Sequence, residues 1–145
     1  MALRYLAYCP RSEAEVKRYL SRRGCAPGAA DSAIEKLHSL HYLNDETFAH
    51  TWALGRAQGR GYGPRRIEQE LRIKGIGQAL IREALREAFD QVDETERAKR
   101  LLTKHFKGGD FAEPKTLRRA VAFLQRRGYS SKVIFNLLRY SIEDD

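Results

Sequence analysis

Four arginine pairs stand out in the chain: Arg22–Arg23, Arg65–Arg66, Arg118–Arg119 and Arg126–Arg127. Guanidinium groups bind phosphates and carboxylates through paired N–H donors, so the chemistry they offer is recognition of a polyanion. One pair closes the stretch GRGYGPRR at residues 59–66. Pro64 there suits the first position of a helix. A helix N-terminus edged by Arg60, Arg65 and Arg66 presents backbone donors and cations to an anion. Tyr62 either packs on the neighbouring helix or stacks on a partner's base. The stretch is not a P-loop, because no Lys-Ser/Thr follows the last glycine and no strand precedes it. Gly61 and Gly63 are expected to let the chain reverse.

Bond-making chemistry finds no comparable support. His38, His41, His50 and His105 have no HExxH or CxxC company. His38 and His41 share a helix side but make no metal motif. Asp45 and Glu46 read as carboxylates at a helix start, where the dipole favours them. Ser130 and Ser131 read as caps, and no base accompanies any serine or cysteine. No catalytic residue, cofactor or metal is expected, and the protein reads as a non-enzyme. Cys9 and Cys25 make no disulfide framework and read as reduced thiols.

The 145 residues carry 27 Lys+Arg against 19 Asp+Glu, a net charge of +8. That balance favours nucleic acid, an acidic protein surface or an anionic membrane as partner. The excess is local. Residues 51–75 and 101–145 are each net +4, and 76–100 are net −1. No run of 18 apolar residues suggests a membrane span, and the N-terminus lacks a long apolar signal segment. An intracellular, cytoplasmic protein is expected.

The elements that must hold these arginines follow a repeat. VKRYLSRRG (16–24), IEQELRIKG (67–75) and AVAFLQRRG (120–128) share apolar-x-x-x-Leu-x-x-basic-Gly, and their glycines are 51 and 53 residues apart. Beyond each glycine, Ala30 and Ile34, Ile81 and Leu85, and Ile134 and Leu138 fall at matching offsets. The spacing predicts units of three helices: 2–9, 12–23 and 27–41; 45–58, 64–74 and 78–89; 94–106, 114–127 and 130–140. Ser12 with Glu15, and Asp93 with Glu96, read as capping boxes. Pro27, Pro64 and Pro114 open helices. Gly24, Gly75 and Gly128 suit left-handed helix ends. No segment alternates as a strand would. The fold expected is all-α, an elongated, curved array of three tandem three-helix repeats over 1–43, 44–92 and 93–145, with short apolar stripes that require the units to stack.

The stretches YLNDETFA (42–49), RGYGPRRI (60–67) and LRIKGI (71–76) together resemble the signature of the RecX family, regulators of the bacterial recombinase RecA. The resemblance spans nearly the whole chain, more loosely in the outer repeats. It implies the same helical array and a function: binding the RecA nucleoprotein filament, in its groove, and inhibiting ATP hydrolysis, strand exchange and co-protease activity. It further implies weaker binding of single- and double-stranded DNA, with no cofactor. The protein is expected to act as a monomer. Charge and register nominate Arg60, Tyr62, Arg65, Arg66, Arg72, Lys74, Lys115, Arg118, Arg119, Arg126 and Arg127 as contacts to RecA or DNA. Arg65→Ala with Arg66→Ala is expected to spare folding and weaken filament binding. The competing reading is a stand-alone helical DNA-binding protein, with the helices around Gly75-Ile76-Gly77 acting as a helix-turn-helix.

Overall fold

A computed structural model of the chain describes the backbone of residues 1–143 and the side chains of residues 1–139. The last two residues of the expected third repeat, 144–145, lie outside the described residues. Nine helices, and no strand, occur among the described residues: α1 (Ala2–Tyr8), α2 (Glu13–Arg22), α3 (Pro27–Ser39), α4 (Asp45–Gly59), α5 (Pro64–Ile73), α6 (Gln78–Ala88), α7 (Glu94–His105), α8 (Pro114–Arg127) and α9 (Ser131–Glu143). The expected helix limits differ from these by at most three residues.

Local chemistry accounts for the boundaries. Ser12 and Glu15 form the full reciprocal capping box. Asp93 accepts the Glu96 N–H but makes a one-way cap in place of the expected box. Pro27, Pro64 and Pro114 each open a helix, where a missing N–H leaves no bond unmade. Gly24, Gly75 and Gly128 have φ of 85°, 79° and 95°, the left-handed conformation that ends a helix cheaply only at glycine.

Helices pack chiefly within their own triplet, and each triplet has its own core. Val16, Leu20, Ala30, Ile34 and Leu37 fill the first. In the second, Ala49, Ala53 and Ala57 of α4 let it approach Ile81, Ala84 and Ala88 of α6 closely. Phe123, Leu124, Tyr129, Ile134 and Leu138 dominate the third. A compact monomer of 16.7 kDa exposes roughly 7,600 Å². This chain exposes 9605 Å², so the triplets are strung out and do not collapse on one centre.

What joins them is largely polar, which apolar stripes did not foretell. The second helices α2, α5 and α8 meet end to end. At the first joint, the N-terminal half of α2 docks on the C-terminus of α5: Ser12 Oγ donates to Lys74 O at 2.6 Å and Arg18 Nη2 donates to Ile73 O at 2.7 Å. A Cβ built on Gly75 would lie 2.3 Å from Ala14 Cβ. Asp45, from the start of α4, accepts the Glu13 N–H at 2.8 Å. At the second joint, α5 docks on α8 in the same sense, so the positive end of one helix dipole meets the negative end of the next. The repeat glycines therefore mark joints as well as helix ends. Gly24, at the end of the line, has nothing within 4 Å of its would-be Cβ.

Candidate polyanion-binding site

The second joint contains the GRGYGPRR corner. Gly63 N–H donates to Arg127 O at 2.6 Å, and Arg65 N–H donates to Gly128 O at 3.0 Å. The backbone donors expected to receive an external anion are thus taken by the C-terminal carbonyls of α8. Gly61 does reverse the chain, with φ 67°. Gly63 has an ordinary φ of −84°; its need is spatial, since a Cβ there would stand 2.6 Å from Gly128 O. Tyr129, buried at 2 % exposure, donates its hydroxyl to Gly61 O at 3.0 Å. Burial pushes that phenol up to about 12, which keeps it a donor at every physiological pH.

Side chains gather on this joint from both triplets. Arg66 Nη1 donates to Arg126 O at 3.0 Å, and Arg127 Nη1 donates to Arg60 O at 2.7 Å. Both guanidinium groups lie over the Tyr62 ring, at 3.8 and 5.9 Å from its centroid. Arg60 and Arg126 contribute carbonyls while their side chains stay exposed. Among the described residues, no carboxylate pairs with Arg60, Arg66, Arg126 or Arg127. Two uncompensated guanidinium groups over one ring, with the exposed Arg60 and Arg126 side chains springing from the same joint, make a local positive potential that a phosphate or carboxylate would relieve.

The nominated residues divide by placement. Tyr62 is 6 % exposed and serves as a platform for arginines, with no face left for a base. Arg65 is exposed, whereas the Arg66 side chain is tied into the joint, so, against the expectation that truncating the pair spares folding, loss of Arg66 would disturb the joint as well as remove charge. On α8, Lys115, Arg119 and Arg126 fall at helical spacing on one side and lead to the cluster; Lys115, Arg118 and Arg119 are exposed. Arg72 lies away from the cluster and bonds Glu68 at 2.6 Å. Lys74 belongs to the first joint, where its ammonium bonds Glu15 at 3.0 Å and lies 4.9 Å from the Trp52 ring centroid. Lys74 and Arg60 share a cleft of about 740 Å³ between the first two triplets, with Arg11, Arg56, Trp52 and Tyr42 on its walls. Arg11 and Arg56 escaped the sequence reading because they lie outside the recurring pairs. His38 pairs with Glu13 instead of joining His41.

Burial pushes the Glu15 carboxyl up, but Lys74, the Ser12 N–H and Arg11 outweigh it and hold the group below its ordinary value of 4.5. A depressed carboxylate stabilises the fold above its unfolded value, and that contribution is lost as pH falls through the folded one. Glu15→Gln is accordingly expected to cost about 1–3 kcal/mol at pH 7, the price of an ill-matched buried partner for Lys74. Denaturant melts of both proteins should show the gap persisting above pH 4.5 and closing below it. Asp45, which burial holds above its ordinary value of 3.8, works in the opposite sense and is common to both proteins, so it drops out of the difference.

As a helix-turn-helix, α5 and α6 are poorly equipped. Of the recognition-helix equivalent, Ile81, Ala84 and Ala88 are buried, which leaves Arg82 and Arg86 as its exposed cations.

The three triplets correspond to known domains. Residues 1–37, 44–85 and 92–138 match the family models described as the first, second and third three-helix domains of RecX. The regulatory protein RecX of Trichlorobacter lovleyi is 36 % identical over 138 residues, covering 94 % of this chain and 90 % of that one. The Streptomyces coelicolor regulatory protein RecX is 30 % identical, covering 100 % and 77 %. The crystal structure of RecX from Lactobacillus salivarius superimposes with a TM-score of 0.79 at 23 % identity, covering 98 % of this chain and 92 % of that one; it shares the fold. With domain matches along its length and full-length relatives at this identity, the chain belongs to the RecX family of regulatory proteins.

Proposed function

We propose that the protein binds the assembled RecA–DNA filament, lying along its groove across adjacent protomers, and restrains RecA's ATP hydrolysis, strand exchange and co-protease activity. It would thereby regulate recombination and the SOS response in the cytoplasm, as a monomeric binding protein and not an enzyme. The observation that carries this reading is the uncompensated arginine cluster at the second joint of an extended helical array. A filament groove is long and displays acidic protein surface beside DNA phosphate, and the array matches it in shape and charge. A stable interface needs about 1,200–2,000 Å² in total, which an extended chain of this surface supplies. Engaging several protomers at once raises affinity through effective concentration and holds them against the rearrangements that ATP turnover requires. Binding to single- or double-stranded DNA alone is weaker, non-specific and salt-sensitive.

The test is a titration of this protein into RecA hydrolysing ATP on single-stranded DNA, alongside binding to assembled filament and to free RecA. Inhibition and a strong preference for filament are expected. Equal affinity for filament and free RecA would overturn the groove mechanism. Sequence-selective gel shifts without RecA, persisting as salt rises, would favour a stand-alone DNA-binding protein.

A further inference from the structure

A second cluster, outside the arginine site, joins α4 to α6. Glu46 and His50 are four residues apart on α4, and Glu83 stands opposite on α6. One ligand atom from each lies within 4.8 Å of the other two. We propose that Glu46, His50 and Glu83 form a binding site for a divalent transition-metal ion of the zinc type.

Three features distinguish this cluster from a solvated acidic patch. First, His50 is oriented. Its Nδ1 lies 2.8 Å from Glu87 Oε2; Nδ1–H donating there leaves the Nε2 lone pair as the ligand, the carboxylate–histidine–metal arrangement that fixes tautomer and ring angle. Second, Glu46 and Glu83 have no basic partner among the described residues, although the protein is net +8. A dication would neutralise them. Third, the scaffold is firm, because α4 and α6 are closely packed through Ala49, Ala53, Ala57, Ala84 and Ala88, and His50 and Glu83 are half-buried. One imidazole nitrogen with two carboxylate oxygens suits zinc or manganese better than calcium, which takes oxygen alone. Zinc ligands stand about 2.0–2.2 Å from the metal, so binding would draw the three ligand atoms closer together by side-chain rotation. The ion would clip the first turn of α4 to α6. This assignment is independent of what the arginine cluster binds.

The test is calorimetric titration of chelator-stripped protein with zinc chloride, paired with thermal unfolding. One zinc per chain with a dissociation constant on the order of micromolar, and a rise in Tm, are expected. Isosteric Glu83→Gln should keep the metal-free Tm and weaken zinc by about tenfold or more, and Glu87→Gln by about tenfold, although it touches no metal. Magnesium chloride should give neither heat nor a Tm shift. Absence of a zinc response, an undiminished one in Glu83→Gln, or an equal response to magnesium would each overturn the proposal.

Discussion

Gly63→Ala is expected to open the joint between the second and third triplets and to cost about 2–4 kcal/mol, because it damages packing and several buried hydrogen bonds at once. The added Cβ would stand 2.6 Å from Gly128 O, 2.7 Å from Gly128 C and 2.9 Å from Tyr129 N. All three are backbone atoms, so no side-chain rotation relieves the clash. Separation of the two triplets would forfeit the bonds from Gly63 and Arg65 to the end of α8, and from Tyr129 to Gly61. Each triplet retains its own core, so circular dichroism should report nearly unchanged helix content while small-angle scattering reports a changed shape. Gly24→Ala supplies the control. There the cost is conformational alone, a φ of 85° with open space around it, about 1–2 kcal/mol. Equal destabilisation of the two variants, or an unaltered scattering profile for Gly63→Ala, would mean that the joint does not set the shape of the array.

The contrast between those glycines shows what the sequence could disclose. A left-handed helix end is a local event, and its marks lie within a few residues: Pro27, Pro64 and Pro114 at starts, Gly24, Gly75 and Gly128 at stops, and the Ser12–Glu15 box. Hence helix number, order and limits were readable. The joints were not, because they pair residues some 60 apart whose register nothing local fixes: Gly63 with Arg127, Arg66 with Arg126, Ser12 with Lys74. Gly63 read as a reversal point because glycine permits one, yet its backbone is ordinary and only the neighbouring triplet requires it. The anion site at the start of α5 failed for the same reason, since its donors face α8. Within the arginine pairs, charge alone could not separate Arg65 from Arg66. Glu46, His50 and Glu83 were likewise invisible as a cluster, because Glu83 arrives from another helix with no motif to announce it.

The divided use of four arginines yields the sharpest functional prediction. Arg60 and Arg126 accept hydrogen bonds through their carbonyls and leave their guanidinium groups exposed; Arg66 and Arg127 donate those bonds through their side chains. Truncating the first two therefore leaves the joint intact. Arg60→Ala with Arg126→Ala is expected to melt within about 0.5 kcal/mol of the unaltered protein, as surface substitutions do, while inhibiting RecA's ATP hydrolysis about tenfold less well. Arg66→Ala with Arg127→Ala should lose inhibition and also about 1–3 kcal/mol of stability, because both hydrogen bonds and the cover over Tyr62 go together. Arg72→Ala, whose guanidinium is held by Glu68, should change neither. Salt dependence then identifies what the exposed pair touches. Each phosphate contact adds roughly 0.9 to the magnitude of the log–log slope on duplex DNA. If Arg60 and Arg126 meet phosphates, the double variant loses roughly 1.8 from that slope with bare DNA; if they meet carboxylates of RecA, the bare-DNA slope stays put while filament affinity falls. Unimpaired inhibition by the Arg60→Ala, Arg126→Ala protein would remove the exposed pair from the contact surface, since the variant keeps the fold and lacks only their charge.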